Sequence, residues 1–135
     1  MARLTHRIFT NWTLSVVFAI FIAFVSLAPY NDMNIFPDTS DKIKHFAAYL
    51  VFGIILFYPL KRRLKIVPSF FVMILVVVIC TLYGIIMELG QFLSPGRTPS
   101  YWDAKMNLWG SLAGQIVLLI SYFARLRQGQ SVNPK

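Results

Sequence analysis

Apolar residues lie along this chain in long blocks separated by short polar stretches. Residues 8–28 are apolar apart from Thr10, Asn11, Thr13 and Ser15 near the start, and Met1 to Arg7 before them is short and basic. Pro29, Asn31, Asp32, Asn34, Pro37, Asp38, Thr39 and Ser40 are turn and capping types and predict a loop. A second block, 41–60, opens on charge and turns apolar at Phe46, with Pro59 marking its expected end. Lys61-Arg62-Arg63-Leu64-Lys65 forms a basic turn before the densest block, 66–91, where Pro68 falls in the tolerant first turn. Ser94-Pro95-Gly96-Arg97-Thr98-Pro99-Ser100 breaks the pattern, and a fourth block runs over 101–123.

Blocks of this length predict helices that span a membrane. The fold expected is all-α, a polytopic membrane protein forming one domain over 1–135. Its helices fall at about 8–28, 41–60, 66–91 and 101–123, and its tail over 125–135 is disordered. The polar loop at 92–100 re-enters the bilayer only where protein covers its backbone. A cleaved signal peptide competes for the first block, with Ser26-Leu27-Ala28 as a small-residue site. The block is longer than a usual signal core and Pro29 would follow the cut, so a retained helix is expected.

Composition supports that class: 57% of the 135 residues are hydrophobic and only 13% charged, more apolar surface than a soluble domain of this size can hide. The net charge of +8 does not point to nucleic acid, because the basic residues sit in short clusters between apolar blocks. Anionic lipid headgroups are the expected partner, and no nucleic acid. Cys80 is the single cysteine, so no disulfide can form within the chain.

The charges also segregate. The N-terminus, the 61–65 turn and the tail hold nine Lys/Arg (Arg3, Arg7, Lys61, Arg62, Arg63, Lys65, Arg125, Arg127, Lys135) and no acid. The other two loops with their helix ends hold Lys42, Lys44, Arg97 and Lys105, and all five acids (Asp32, Asp38, Asp41, Glu88, Asp103). The positive-inside rule then places both termini in the cytoplasm.

Helical spacing draws polar side chains into faces at the acidic end. At about 100° per residue, Asp41, His45, Ala48 and Tyr49 share one narrow face. Gly84, Glu88 and Gln91 share another, and Asp103, Asn107, Gly110 and Gly114 form a stripe that Ser121 extends. Glycines at this spacing let a neighbouring helix approach, so helices 2, 3 and 4 are expected to pack around the stripe. Asp41, His45, Glu88, Gln91, Arg97, Asp103 and Asn107 would then converge near the outer interface. Ser100 with Asp103 reads as a capping box. Asp41 is expected to orient His45 for proton transfer, with Glu88 held by Arg97 in a bidentate pair. Lys42 and Lys44 would reach headgroup phosphates. Tyr83, Tyr101, Trp102 and Trp109 read as aromatic belt and core packing.

A metal site from Asp41, His45, Glu88 and Asp103 is conceivable, but no second well-placed histidine, nearby cysteine or linear His/Glu motif accompanies it, so neither metal nor cofactor is expected. Ser94, Ser100 and Tyr101 lack the context of an activated nucleophile. The Gly110/Gly114 face is also a candidate homodimer contact.

The order Asp-Lys-x-x-His-x-x-x-Tyr, Glu-x-x-Gln, a Pro-Gly-Arg turn, then Ser-x-x-Asp-x-x-x-Asn-x-x-Gly-x-x-x-Gly resembles the VanZ-like family of small bacterial membrane proteins, over roughly 41–114. The family's characteristic positions fall on Asp41, Lys42, His45, Tyr49, Glu88, Gln91, Arg97, Asp103, Asn107 and Gly110. The resemblance implies a bacterial cytoplasmic-membrane protein affecting the cell envelope, and through its namesake a link to teicoplanin susceptibility. Two classes of function follow. In one, an outward-facing polar pocket formed by Lys42, Tyr49, Gln91, Arg97, Asp103 and Asn107 binds a membrane lipid or lipid-linked envelope precursor. In the other, Asp41, His45 and Glu88 carry out acid/base hydrolysis or group transfer on such a lipid.

Overall fold

A computed structural model describes residues 12–28 and 40–131, with side chains to residue 127. Every regular element among them is helical: α1 (Trp12–Leu27), α2 (Asp41–Arg63), α3 (Ser69–Gly90) and α4 (Tyr101–Ser131), with a 3-10 turn at Gln91–Leu93. The expected loop at 29–39, residues 1–11 and residues 132–135 lie outside the described residues. Three helices are long and apolar enough to cross a membrane (Asp41–Arg63, Ser69–Leu93 and Tyr101–Arg127), and Trp12–Leu27 is a shorter apolar helix.

The distribution of side chains is that of a protein solvated by lipid. Ile20, Phe24, Phe70, Leu82, Leu89 and Ile120 are exposed, while Ser15, Glu88, Gln91, Asn107, Ser111 and Gln115 are buried. Polar groups have turned inward, where they find partners that hydrocarbon cannot supply. Below them Tyr49, Phe52, Leu56, Val72, Val76 and Cys80 form a dry core shared by α2 and α3, onto which Ile22 of α1 packs.

The closest helix pair is α2 with α4. A Cβ at Gly110 would collide with the Phe46 carbonyl oxygen, and one at Gly114 would stand 2.6 Å from that of Leu50. Two backbones therefore touch where the stripe gives way to glycine. This face, a candidate dimer contact from sequence, is already covered within the chain by α2. Gly84 plays the same part on α3: a Cβ there would lie 2.6 Å from Asn107 Nδ2, so its hydrogen is what admits the amide.

Three boundaries differ from expectation. Pro59 does not end α2, which runs on through Arg63. A proline leaves the carbonyl four residues earlier without its donor, here that of Ile55, and Ser15 Oγ of α1 donates to this oxygen at 3.4 Å. A neighbouring hydroxyl thus takes the place of the missing N–H, the usual remedy in a membrane helix. α3 starts later than expected, at Ser69, with Pro68 just before it and accepting from Phe71 and Val72 N–H. α4 outruns its expected end at 123 and continues through Ser131. Ala124, Arg125, Leu126, Arg127 and Gln128 are strong helix formers, so a formed helix propagates through them.

Gly110→Ala should destabilise the protein by about 1–3 kcal/mol, because backbone must move to admit the methyl. Gly90→Ala should cost less, since its added carbon would meet only the movable tip of Leu27. Unfolding in detergent micelles, followed by helicity, compares the two.

Candidate functional site

Helix ends from α2, α3 and α4 meet at the acidic end of the bundle, and each delivers a polar side chain by its register. His45 sits one turn into α2, Glu88 in the last turn of α3, and Asp103 and Asn107 in the first two turns of α4. His45 Nδ1 lies 3.0 Å from Asn107 Oδ1. An amide oxygen only accepts, so in this contact Nδ1 is the donor. Nε2 stands 4.0 Å from Asp103 Oδ2, and Nδ1 stands 3.7 Å from Glu88 Oε1.

Glu88 is almost wholly enclosed, with 5% of its surface exposed. Its Oε2 accepts the backbone N–H of Ser100 at 3.0 Å, while Oε1 has no hydrogen-bond partner. The Ser100 residue has two tasks here. Its N–H fixes the carboxylate of α3, and its Oγ accepts Asp103 N–H at 3.4 Å, which caps α4 as the sequence suggested. One short segment thereby ties the end of one helix to the start of the next.

Arg97 hydrogen-bonds elsewhere, although its charge still acts on Glu88. The sequence paired it with Glu88, but Nε donates to the Ala28 carbonyl and Nη2 to that of Val25, both at 3.2 Å. Ser94 Oγ donates to the Leu27 carbonyl at 2.7 Å. The end of α1 exposes carbonyls that its own helix cannot satisfy, and the 94–97 turn, with Gly96 at φ 74°, bends to supply donors. Arg97 therefore braces α1 against the α3–α4 connection. The carboxylate is served by a backbone N–H and faces a histidine.

Asp41 is likewise displaced from its expected role. It is exposed and pairs with Lys44 at 3.1 Å, an i, i+3 contact on the outer side of α2. His45 is oriented by Asn107 instead. Tyr49, one turn deeper, belongs to the core: it is 1% exposed, stands edge-on to Phe52, and its hydroxyl has no partner. Gln91 is buried in the 3-10 turn, continuing the Gly84–Glu88 face as expected. Lys42 extends over the Trp102 ring at 5.8 Å, and Lys105 stands 4.6 Å from both Tyr101 and Trp102. This lysine and aromatic collar was read from sequence only as separate belt residues and headgroup lysines.

Of the ten positions singled out in the sequence, His45, Glu88, Asp103 and Asn107 form one contiguous cluster, and one donor atom from each of His45, Glu88 and Asp103 lies within 4.8 Å of the others. Arg97→Ala should loosen α1 rather than empty the cluster. Losing two hydrogen bonds from a charged donor should cost about 1.5–3 kcal/mol, and amide exchange should rise at the end of α1 while α2 and α4 stay protected.

A sequence profile described as VanZ/LLP1 matches residues 3–122. No curated protein matches the chain, and no solved structure does.

Proposed function

The chain belongs to the VanZ/LLP1 family, and from that premise we propose that it binds a phosphate-bearing envelope lipid at the outer face of the bacterial cytoplasmic membrane. In this reading all four helices cross the bilayer and both termini lie in the cytoplasm. The asymmetry of Lys and Arg supports that orientation. The His45 cluster then faces outward at the depth of the headgroups.

The observation that carries the reading is the pairing of a buried polar base with a cationic rim. Lys42 lies three residues before His45, and Trp102 and Lys105 flank Asp103, which supports reading the lysines and rings as a collar over the cluster. Flat rings and lysines suit the membrane interface, and each lysine offers a charge to an anionic headgroup. The phosphate belongs to a phospholipid or to a lipid-linked precursor of the envelope. Occupying or sequestering such a lipid would alter susceptibility to glycopeptides of the teicoplanin type.

A second reading, a membrane-embedded enzyme, is favoured by His45 standing between two carboxylates with one ring nitrogen already committed to Asn107. His45 Nε2 would act as base, Glu88 as its counterpart, on a phospholipid or lipid-linked substrate brought by the same rim.

Mass spectrometry of lipids copurifying with the protein tests the first reading. A phosphate lipid should be retained by wild type, and Lys42→Ala and Lys105→Ala should each lower its retention about fivefold. Unchanged retention in both variants, at unchanged expression, refutes it, and the mass distinguishes phospholipid from lipid-linked precursor. His45→Asn and Glu88→Gln decide the second: full teicoplanin-susceptibility phenotype in both, in folded protein, excludes catalysis by these groups.

A further inference from the structure

Two carboxylates and an imidazole from three different helices converge at the polar end of the bundle, and one carboxylate oxygen there is left over. Glu88 is 5% exposed, its Oε2 is fixed by Ser100 N–H, and its Oε1 has no hydrogen-bond partner although it is buried and faces His45. A buried acceptor without a donor is costly unless something electropositive meets it. No side chain among the described residues hydrogen-bonds Oε1: the His45 ring stands 3.7 Å away, and the Arg97 charge acts on the carboxylate only from a distance.

The surroundings have the parts of a metal centre. Donor atoms of His45, Glu88 and Asp103 lie within 4.8 Å of one another. An ion about 2.0–2.2 Å from each would draw them to about 3.0–3.6 Å apart, a closure of side-chain scale. Asn107 Oδ1, 3.0 Å from Nδ1, holds the His45 ring between the two carboxylates, the outer-partner role that commonly orients a ligand histidine. Ser100 N–H orients the Glu88 carboxylate in the same outer-partner role. His45 and Asp103 retain 14% and 16% side-chain exposure, which leaves a route in.

We propose that His45, Glu88 and Asp103 bind one divalent transition-metal ion, Zn2+ or Mn2+, that staples α2, α3 and α4 together at their polar ends. The imidazole favours these ions over Mg2+ and Ca2+, and the absence of a thiolate from the donor set disfavours softer ones. Two carboxylates balance the charge of the ion. Three protein donors leave coordination positions for water or for a headgroup oxygen. No linear motif announces such a site, because each helix supplies a single ligand. The inference stands on the cluster and not on the lipid reading.

The full-length protein in detergent micelles, stripped with a chelator and dialysed, is titrated with Zn2+ alone and with Mn2+ alone. Elemental mass spectrometry reads the bound ion. About one ion per chain is expected at micromolar metal. His45→Ala and Asp103→Asn should each weaken binding at least about tenfold, whereas Asp41→Asn, which alters an exposed acid paired to Lys44, should not. The chain has two histidines, so in a His6→Ala background any imidazole nitrogen coupled to bound Mn2+ in pulsed electron paramagnetic resonance comes from His45. That coupling is expected, and it does not depend on whether a cluster variant folds. Failure of folded wild type to take up either ion, unchanged binding in both ligand variants, or Mn2+ bound without imidazole coupling overturns the inference. Copurifying phosphate lipid is assayed in the same samples: metal without lipid sinks only the lipid reading, and lipid without metal sinks only this one.

Discussion

Everything at the polar end of this protein depends on how closely α2 and α4 approach at Gly110. In lipid there is little hydrophobic drive to bring two helices together, so association rests on shape and on hydrogen bonds that hydrocarbon cannot offer. The hydrogen in place of a side chain at Gly110 lets α4 rest on the Phe46 carbonyl, and Gly114 repeats the arrangement one turn deeper at Leu50. With the two axes fixed at that separation, His45 and Asn107 come within hydrogen-bonding distance one turn above. A bulkier contact would push the axes apart and strand both polar groups.

The third helix joins through the same economy of volume. Gly84 leaves room for the Asn107 side chain, which touches both α3 and His45 of α2. Glu88 follows one turn later and is trapped beside them, held by the peptide N–H of Ser100. A carboxylate at that depth is tolerated only where partners surround it, and the tight crossing is what delivers those partners. Packing and polarity are therefore one design: small residues below make the polar cluster above geometrically possible.

α1 has a different part. It contributes no residue to the cluster but attaches to the rest through hydrogen bonds to backbone oxygens. Its own carbonyls at Ala19, Val25, Leu27 and Ala28 receive donors from Tyr83, Arg97 and Ser94, and its Ser15 donates to Ile55 in return. That last bond repairs the gap left by Pro59, so α2 passes through a proline without ending. The arginine that seemed made for a carboxylate is engaged at the end of α1.

The order of residues alone determined what is local. The lipid-like blocks, the segregation of charge, the Ser100 cap and the stripe from Asp103 to Gly114 follow from helical repeat and composition, because a side chain's angle around its own axis is fixed by its place in the chain. For the same reason the inward faces of α3 and α4 were legible before any helix was placed. What the repeat does not carry is the rotation and offset of one helix against another. Those two quantities decided that Asn107 rather than Asp41 orients His45, that a peptide N–H rather than Arg97 meets Glu88, and that the glycine face is filled from within. They also selected His45, Glu88, Asp103 and Asn107 out of the wider set expected to converge, because which side chains become neighbours is settled only once the backbones have met.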